Sequence, residues 1–69
     1  SQGFELTPRE QDLLELLVIG LSNADIAAQL YLSEGTVRNY LSVLFGKLGV
    51  SDRTQAVIVA LKNGLVKDR

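Results

Sequence analysis

The chain has 69 residues, 46% of them apolar, with no cysteine, no histidine and a formal charge of −1, which suits one small domain held by hydrophobic packing alone. Disulfides and a cysteine- or histidine-ligated zinc are excluded; with no histidine for acid–base work and no GxxxxGK phosphate loop, an enzyme and a cofactor site are not expected. The longest apolar run, Ala56 to Leu61, falls far short of the roughly 20 residues that span a bilayer, and no basic start leads into an apolar stretch, so neither membrane segment nor signal peptide is expected.

Residues 1–5, opening Ser1-Gln2-Gly3, read as a flexible linker or tag remnant ahead of a single domain. In Leu6-Thr7-Pro8-Arg9-Glu10, Thr7 caps a helix, Pro8 takes the first position, which needs no amide hydrogen, and Glu10 closes a capping box. Leu13, Leu14 and Leu17 then share one face, with Glu10 and Leu21 near its edges and Asp12, Glu15 and Ile19 outside it, until Gly20 supplies a left-handed exit. Ser22 begins a second box in Ser22-Asn23-Ala24-Asp25, opening a short helix whose inward face is Ile26, Ala27 and Leu30.

Tyr31 and Leu32 make a turn, and Ser33 caps a third helix in which Val37, Leu41, Leu44 and Leu48 form one apolar seam. Glu34, Gly35, Arg38, Asn39 and Ser42 are left on the opposite, exposed face, and Gly46 costs this helix about 1 kcal/mol against alanine. Gly49 ends it, Ser51 caps a fourth helix, and Gly64 terminates that one. Arg53, Ala56, Val57, Ala60 and Gly64 share one arc of the fourth helix while Ile58, Leu61 and Leu65 lie on another, so one apolar arc serves the core and the second asks for a partner. The expected fold is all-α, a four-helix bundle with helices at about 8–19, 23–30, 34–48 and 52–63 and no strands.

A short helix, a three-residue turn and a longer helix with a polar, exposed first half is the helix-turn-helix arrangement that places a recognition helix in the DNA major groove. A net negative charge argues against nucleic acid, but the charges are segregated. Residues 1–34 carry Arg9 against six carboxylates, whereas residues 35–69 carry six cations against Asp52 and Asp68. A positive face is thus available locally, with the acidic half sharpening salt dependence.

The chain resembles the LuxR/FixJ (NarL)-type helix-turn-helix domain found at the C-terminus of many two-component response regulators. The resemblance covers nearly the whole chain and is carried by Leu6-Thr7-Pro8-Arg9-Glu10, Gly20, Ser22-Asn23-Ala24-Asp25-Ile26-Ala27, Leu30, Leu32-Ser33, Thr36-Val37, Lys47-Leu48-Gly49-Val50, Arg53 and Gln55-Ala56. It implies sequence-specific binding of double-stranded DNA as a homodimer, helix three as recognition helix and helix four as dimer contact, and an upstream receiver domain. It also implies RNA polymerase as a partner and a cytoplasmic, nucleoid-associated place in a bacterium. Departures are Tyr40, where many relatives carry histidine, the mid-helix Gly46, and Glu34, which faces the phosphates.

Roles within that frame follow from side-chain chemistry. Arg38 can fork onto guanine O6 and N7, Asn39 can pair with adenine N6 and N7, and Ser42, one turn beyond Arg38, suits a base edge or a phosphate. Ser33 and Thr36, at the amino end of the recognition helix, together with Asn23, Tyr40, Lys47 and Arg53, are the phosphate candidates. Lys47 and Arg53 have an alternative use, neutralising helix ends or pairing with helix-one carboxylates. Thr54, Ile58, Val59, Leu61 and Lys62 are assigned to the dimer contact, and two such recognition helices imply a pseudo-palindromic site. The competing reading is a protein-interaction module of the same fold without DNA binding; sigma-factor region four is a more distant resemblance.

Overall fold

A computed structural model describes residues 4–66. Its helices are α1 (Pro8–Ile19), α2 (Asn23–Leu30), α3 (Glu34–Leu48) and α4 (Arg53–Lys62), with no strand among the described residues. The first three keep the bounds read from the sequence, because each is fixed by a side-chain cap. Thr7 and Glu10 make the full box, with Glu10 N–H donating to Thr7 Oγ1 at 3.1 Å and Thr7 N–H donating to Glu10 Oε1 at 2.9 Å. At Ser22 only the forward bond of the expected box is recorded, from Asp25 N–H at 3.2 Å; aspartate is one methylene shorter than the glutamate that returns the bond in α1.

The fourth helix departs from expectation by one residue at each end. Its cap is Asp52, whose Oδ1 accepts from Gln55 N–H at 2.9 Å, and not Ser51, whose own amide donates to Gln55 Oε1 at 2.9 Å. A carboxylate accepts the amide hydrogen and also opposes the positive helix end, so it prevails over the neighbouring hydroxyl. At the far end Asn63 keeps a negative φ and Gly64 takes the left-handed turn at φ +65°.

The core draws on every helix: Leu13, Leu14 and Leu17 of α1, Ile26 and Ala27 of α2, Val37, Leu41, Leu44 and Leu48 of α3, Ala56 and Ala60 of α4, closed by Val66. α2 packs on α3, and α1 packs on both α3 and α4. The small Ala27, Ala56 and Ala60 let helix axes approach where two leucines would hold them apart. Phe4 is half-buried against this core and the Glu5 carbonyl accepts from Lys47, so these two residues, expected as linker, are tied to the domain. Residues 1–3 lie outside the described residues, as do the charges of Lys67, Asp68 and Arg69. Among the described residues no helix is long and apolar enough to cross a membrane.

Candidate nucleic-acid interface

The orientation of α3 is set by its buried side. Val37, Leu41, Leu44 and Leu48 are all in the core, which fixes the rotation of the helix and turns Arg38, Asn39 and Ser42 outward to solvent. Fifteen residues make α3, about 22 Å long at 1.5 Å per residue, and a helix about 10–12 Å across matches a major groove about 12 Å wide. The site extends beyond one helix. Asn23, the first residue of α2, lines a shallow hollow of about 250 Å³ with Arg38, Leu41, Ser42 and Phe45 of α3. Two of the three proposed base readers therefore share a concavity with one phosphate candidate.

At the amino end of α3 the hydrogens are divided between two hydroxyls. Ser33 Oγ accepts from Thr36 N–H at 3.1 Å and donates its one proton to Thr36 Oγ1 at 2.9 Å. The Thr36 hydroxyl proton is thereby left for an outside acceptor, alongside the amides of the first turn that have no partner within the helix. An anion placed there meets donors and the positive end of the helix dipole.

Tyr40 is partly exposed on α3, and Val43, one turn beyond Asn39, is 55% exposed. Val43 belongs to the outward strip but escaped the sequence reading, which sought polar residues; its place off the Val37–Leu48 seam is the signal that finds it. A methyl-bearing side chain there suits a thymine methyl or a sugar face.

Lys47 and Arg53 are used by the domain itself. Lys47 Nζ donates to Glu10 Oε1 at 2.8 Å and to the Glu5 carbonyl at 3.2 Å, tying α3 to the start of α1. Burial raises the Glu10 pKa, but hydrogen bonds from Lys47 and Thr7 and the Lys47 charge outweigh it, so the carboxyl is held below its ordinary 4.5. Arg53 Nη2 donates to the Leu21 carbonyl, pinning the α1–α2 turn to α4. Lys47 thus makes the expected alternative pairing with a helix-one carboxylate, although an ammonium has three donors and it has spent two. Arg53 instead meets a backbone carbonyl and, among the described residues, no carboxylate.

On α4, Thr54, Ile58, Leu61 and Lys62 are exposed, with Ile58 at 50% and Leu61 at 46%. Val59 sits differently: it is half-buried and packs against the core, so it lies at the margin of that face. Residues 5–60 match the family model described as bacterial regulatory proteins, luxR family.

The chain belongs to the luxR family of bacterial regulatory proteins.

Within the luxR family it is 50% identical over 93% of its length to the transcriptional regulatory protein DegU of Brevibacillus brevis, covering 27% of that protein. It is 48% identical to the spore germination protein GerE of Bacillus subtilis, over 86% of this chain and 80% of the relative. Among solved structures, the transcription factor GerE superposes with a TM-score of 0.81 at 47% identity, over 90% of this chain and 92% of that one. The response regulator ChrA of a heme-sensing two-component system superposes at 0.86 and 42% identity, over 90% of this chain and 31% of that one. This luxR-family domain therefore spans less than a third of DegU and ChrA, and most of GerE.

Proposed function

We propose that the domain binds double-stranded DNA sequence-specifically as a dimer and regulates transcription as the output domain of a response regulator. The observation that carries this reading is the outward presentation of Arg38, Asn39 and Ser42 on the first half of α3 in a chain of the luxR family. Arg38 and Asn39 read base edges, and Ser42 adds a base or phosphate contact. Asn23, Thr36 and Tyr40, with the Ser33-capped amino end of α3, hold the backbone and set register without reading sequence. Lys47 and Arg53 act chiefly through the fold.

Around the domain the proposal places a receiver domain upstream, a second copy across the exposed face of α4, RNA polymerase as the machinery acted upon, and a cytoplasmic, nucleoid-associated location. The names of the relatives support the receiver: ChrA is a response regulator of a two-component system. No observation favours an interaction module that lacks DNA binding.

The test is selection of bound duplexes from a random pool at low salt, then anisotropy titration of the winner with wild type and Arg38→Ala. Wild type is expected to enrich a motif with two-fold symmetry, and Arg38→Ala to lose about 1–3 kcal/mol and relax one base position. Equal losses by the variant on every sequence would contradict the role of Arg38 as a reader. Enrichment of no sequence by wild type would overturn the DNA-binding reading itself.

A further inference from the structure

Gly35 is the second residue of α3, in the turn that a recognition helix presents first to the groove. Glycine in a helix costs stability relative to alanine, and neither backbone nor packing demands one here. The left-handed glycines are Gly20, Gly49 and Gly64, so Gly35 is not among them. A β-carbon at this position would meet Arg38 Nη2 at 3.9 Å and Ser33 Oγ at 4.0 Å, both ordinary contacts.

The Arg38 contact shows what the glycine does. Side chains on a helix lean toward its amino end, so each covers the turn before its own α-carbon, and residue 38 covers residue 35. The Arg38 guanidinium lies back over that bare backbone. Glycine also allows a backbone to come close to a ligand, here in the turn that carries unpartnered amides.

We propose that Gly35 is a specificity-determining position: its missing side chain lets Arg38 lie along α3 toward the amino end and keeps the first turn bare where it meets the DNA. Together these set which base pair Arg38 reaches. The inference rests on the DNA-binding reading above. A long side chain at 35 lifts the guanidinium away from the helix and puts its own atoms into the groove. The substitution adds and removes no cation, so the salt slope stays.

The experiment repeats the duplex selection with wild type, Gly35→Ala, Gly35→Gln and Gly46→Ala, then titrates each against the wild-type winner over a range of salt. Gly46→Ala is the control for helix propensity, since a β-carbon there meets nothing within 4 Å. Both alanine variants are expected to melt at or above the wild-type temperature, and Gly46→Ala to bind within about twofold of wild type, as surface changes of this size do. Gly35→Gln is expected to bind about tenfold more weakly with an unchanged salt slope, and to select a motif altered at the base pair that Arg38→Ala relaxes. Should Gly35→Gln select the wild-type motif and bind it within about twofold, the position sets no specificity, while the DNA-binding reading stands. Failure of wild type to enrich any motif overturns both.

Discussion

Glu10 serves two helices at once, accepting from the Thr7 amide at the start of α1 and from Lys47 Nζ on α3. It is only 6% exposed, so its charge depends on those partners. Lys47→Ala leaves the buried carboxylate without its cation; because the lysine side chain is 37% exposed, the expected loss is about 1–2 kcal/mol, below the 3–5 kcal/mol of a fully buried pair. Urea unfolding of the variant at pH 7 measures it. In a DNA titration the same variant should keep the wild-type salt slope, corrected for the folded fraction; a slope lower by about one would show a phosphate contact in addition. The Glu10 pKa is lowered in the fold, so its stabilisation is complete above 4.5 and is lost as pH falls through the folded value. Stability measured on descending pH should therefore drop more steeply for wild type than for Glu10→Gln, and parallel curves would remove Glu10 from the acid response.

All four helices leave by the same hydrogen bond, with the amides of Leu21, Leu32, Val50 and Leu65 donating to the carbonyls of Leu16, Ala27, Phe45 and Ala60 at 2.9–3.2 Å. The bond needs a left-handed residue just before it, and three helices use glycine. The exit from α2 uses Tyr31 at φ 59°, with a side chain 95% exposed, so no burial offsets the conformation. Left-handed backbone costs a non-glycine residue about 1–2 kcal/mol, and glycine returns part of that through its freer unfolded chain. Tyr31→Gly should accordingly stabilise the domain by about 0.5–1 kcal/mol, seen as a higher melting temperature; a lower one would mean that the ring makes a stabilising contact. The three glycine exits, the Thr7 box and the α3 seam were legible in the sequence because each is a local pattern within a few residues, whereas the left-handed Tyr31 was read only as part of a turn. Pairing of Lys47 with a helix-one carboxylate was legible as an alternative, but not which carboxylate, and the Arg53–Leu21 bond was not legible, since 37 and 32 residues separate the partners and periodicity carries no pairing across helices. At α4 the pattern was local but ambiguous: Ser51 and Asp52 are both caps, and spacing alone does not choose between them. The outward face of α3 was legible as the complement of the seam, whereas Val43 and the contact over Gly35 required the folded helix.

In a domain with net charge −1, two of the carboxylates stand apart from Arg38. The carboxylates of Asp12 and Glu15 line a separate hollow of about 300 Å³ between α1 and α2, with Leu16, Ile19, Gln29 and Leu30, and it shares no residue with the hollow that holds Arg38. What the single domain lacks is area. Ile58 and Leu61 are each about half exposed, and a patch of this size offsets little of the several kcal/mol of freedom lost when two molecules associate. Dimerisation through α4 should therefore be weak in free solution and strong on DNA carrying two half-sites, where the first copy raises the local concentration of the second. Leu61→Asp puts a charge on the proposed contact without touching α3. It should leave affinity for a single half-site unchanged and weaken binding to the two-half-site duplex by about 100-fold, within the range that linking two modules provides. Anisotropy on the two duplexes, with ultracentrifugation of the bound species, separates the cases. Equal loss on both duplexes would point to a damaged fold, which the melting temperature reports. No loss on the full site would place the dimer contact elsewhere than α4, and the search would move to the other exposed apolar residues, beginning with Ile19 of α1.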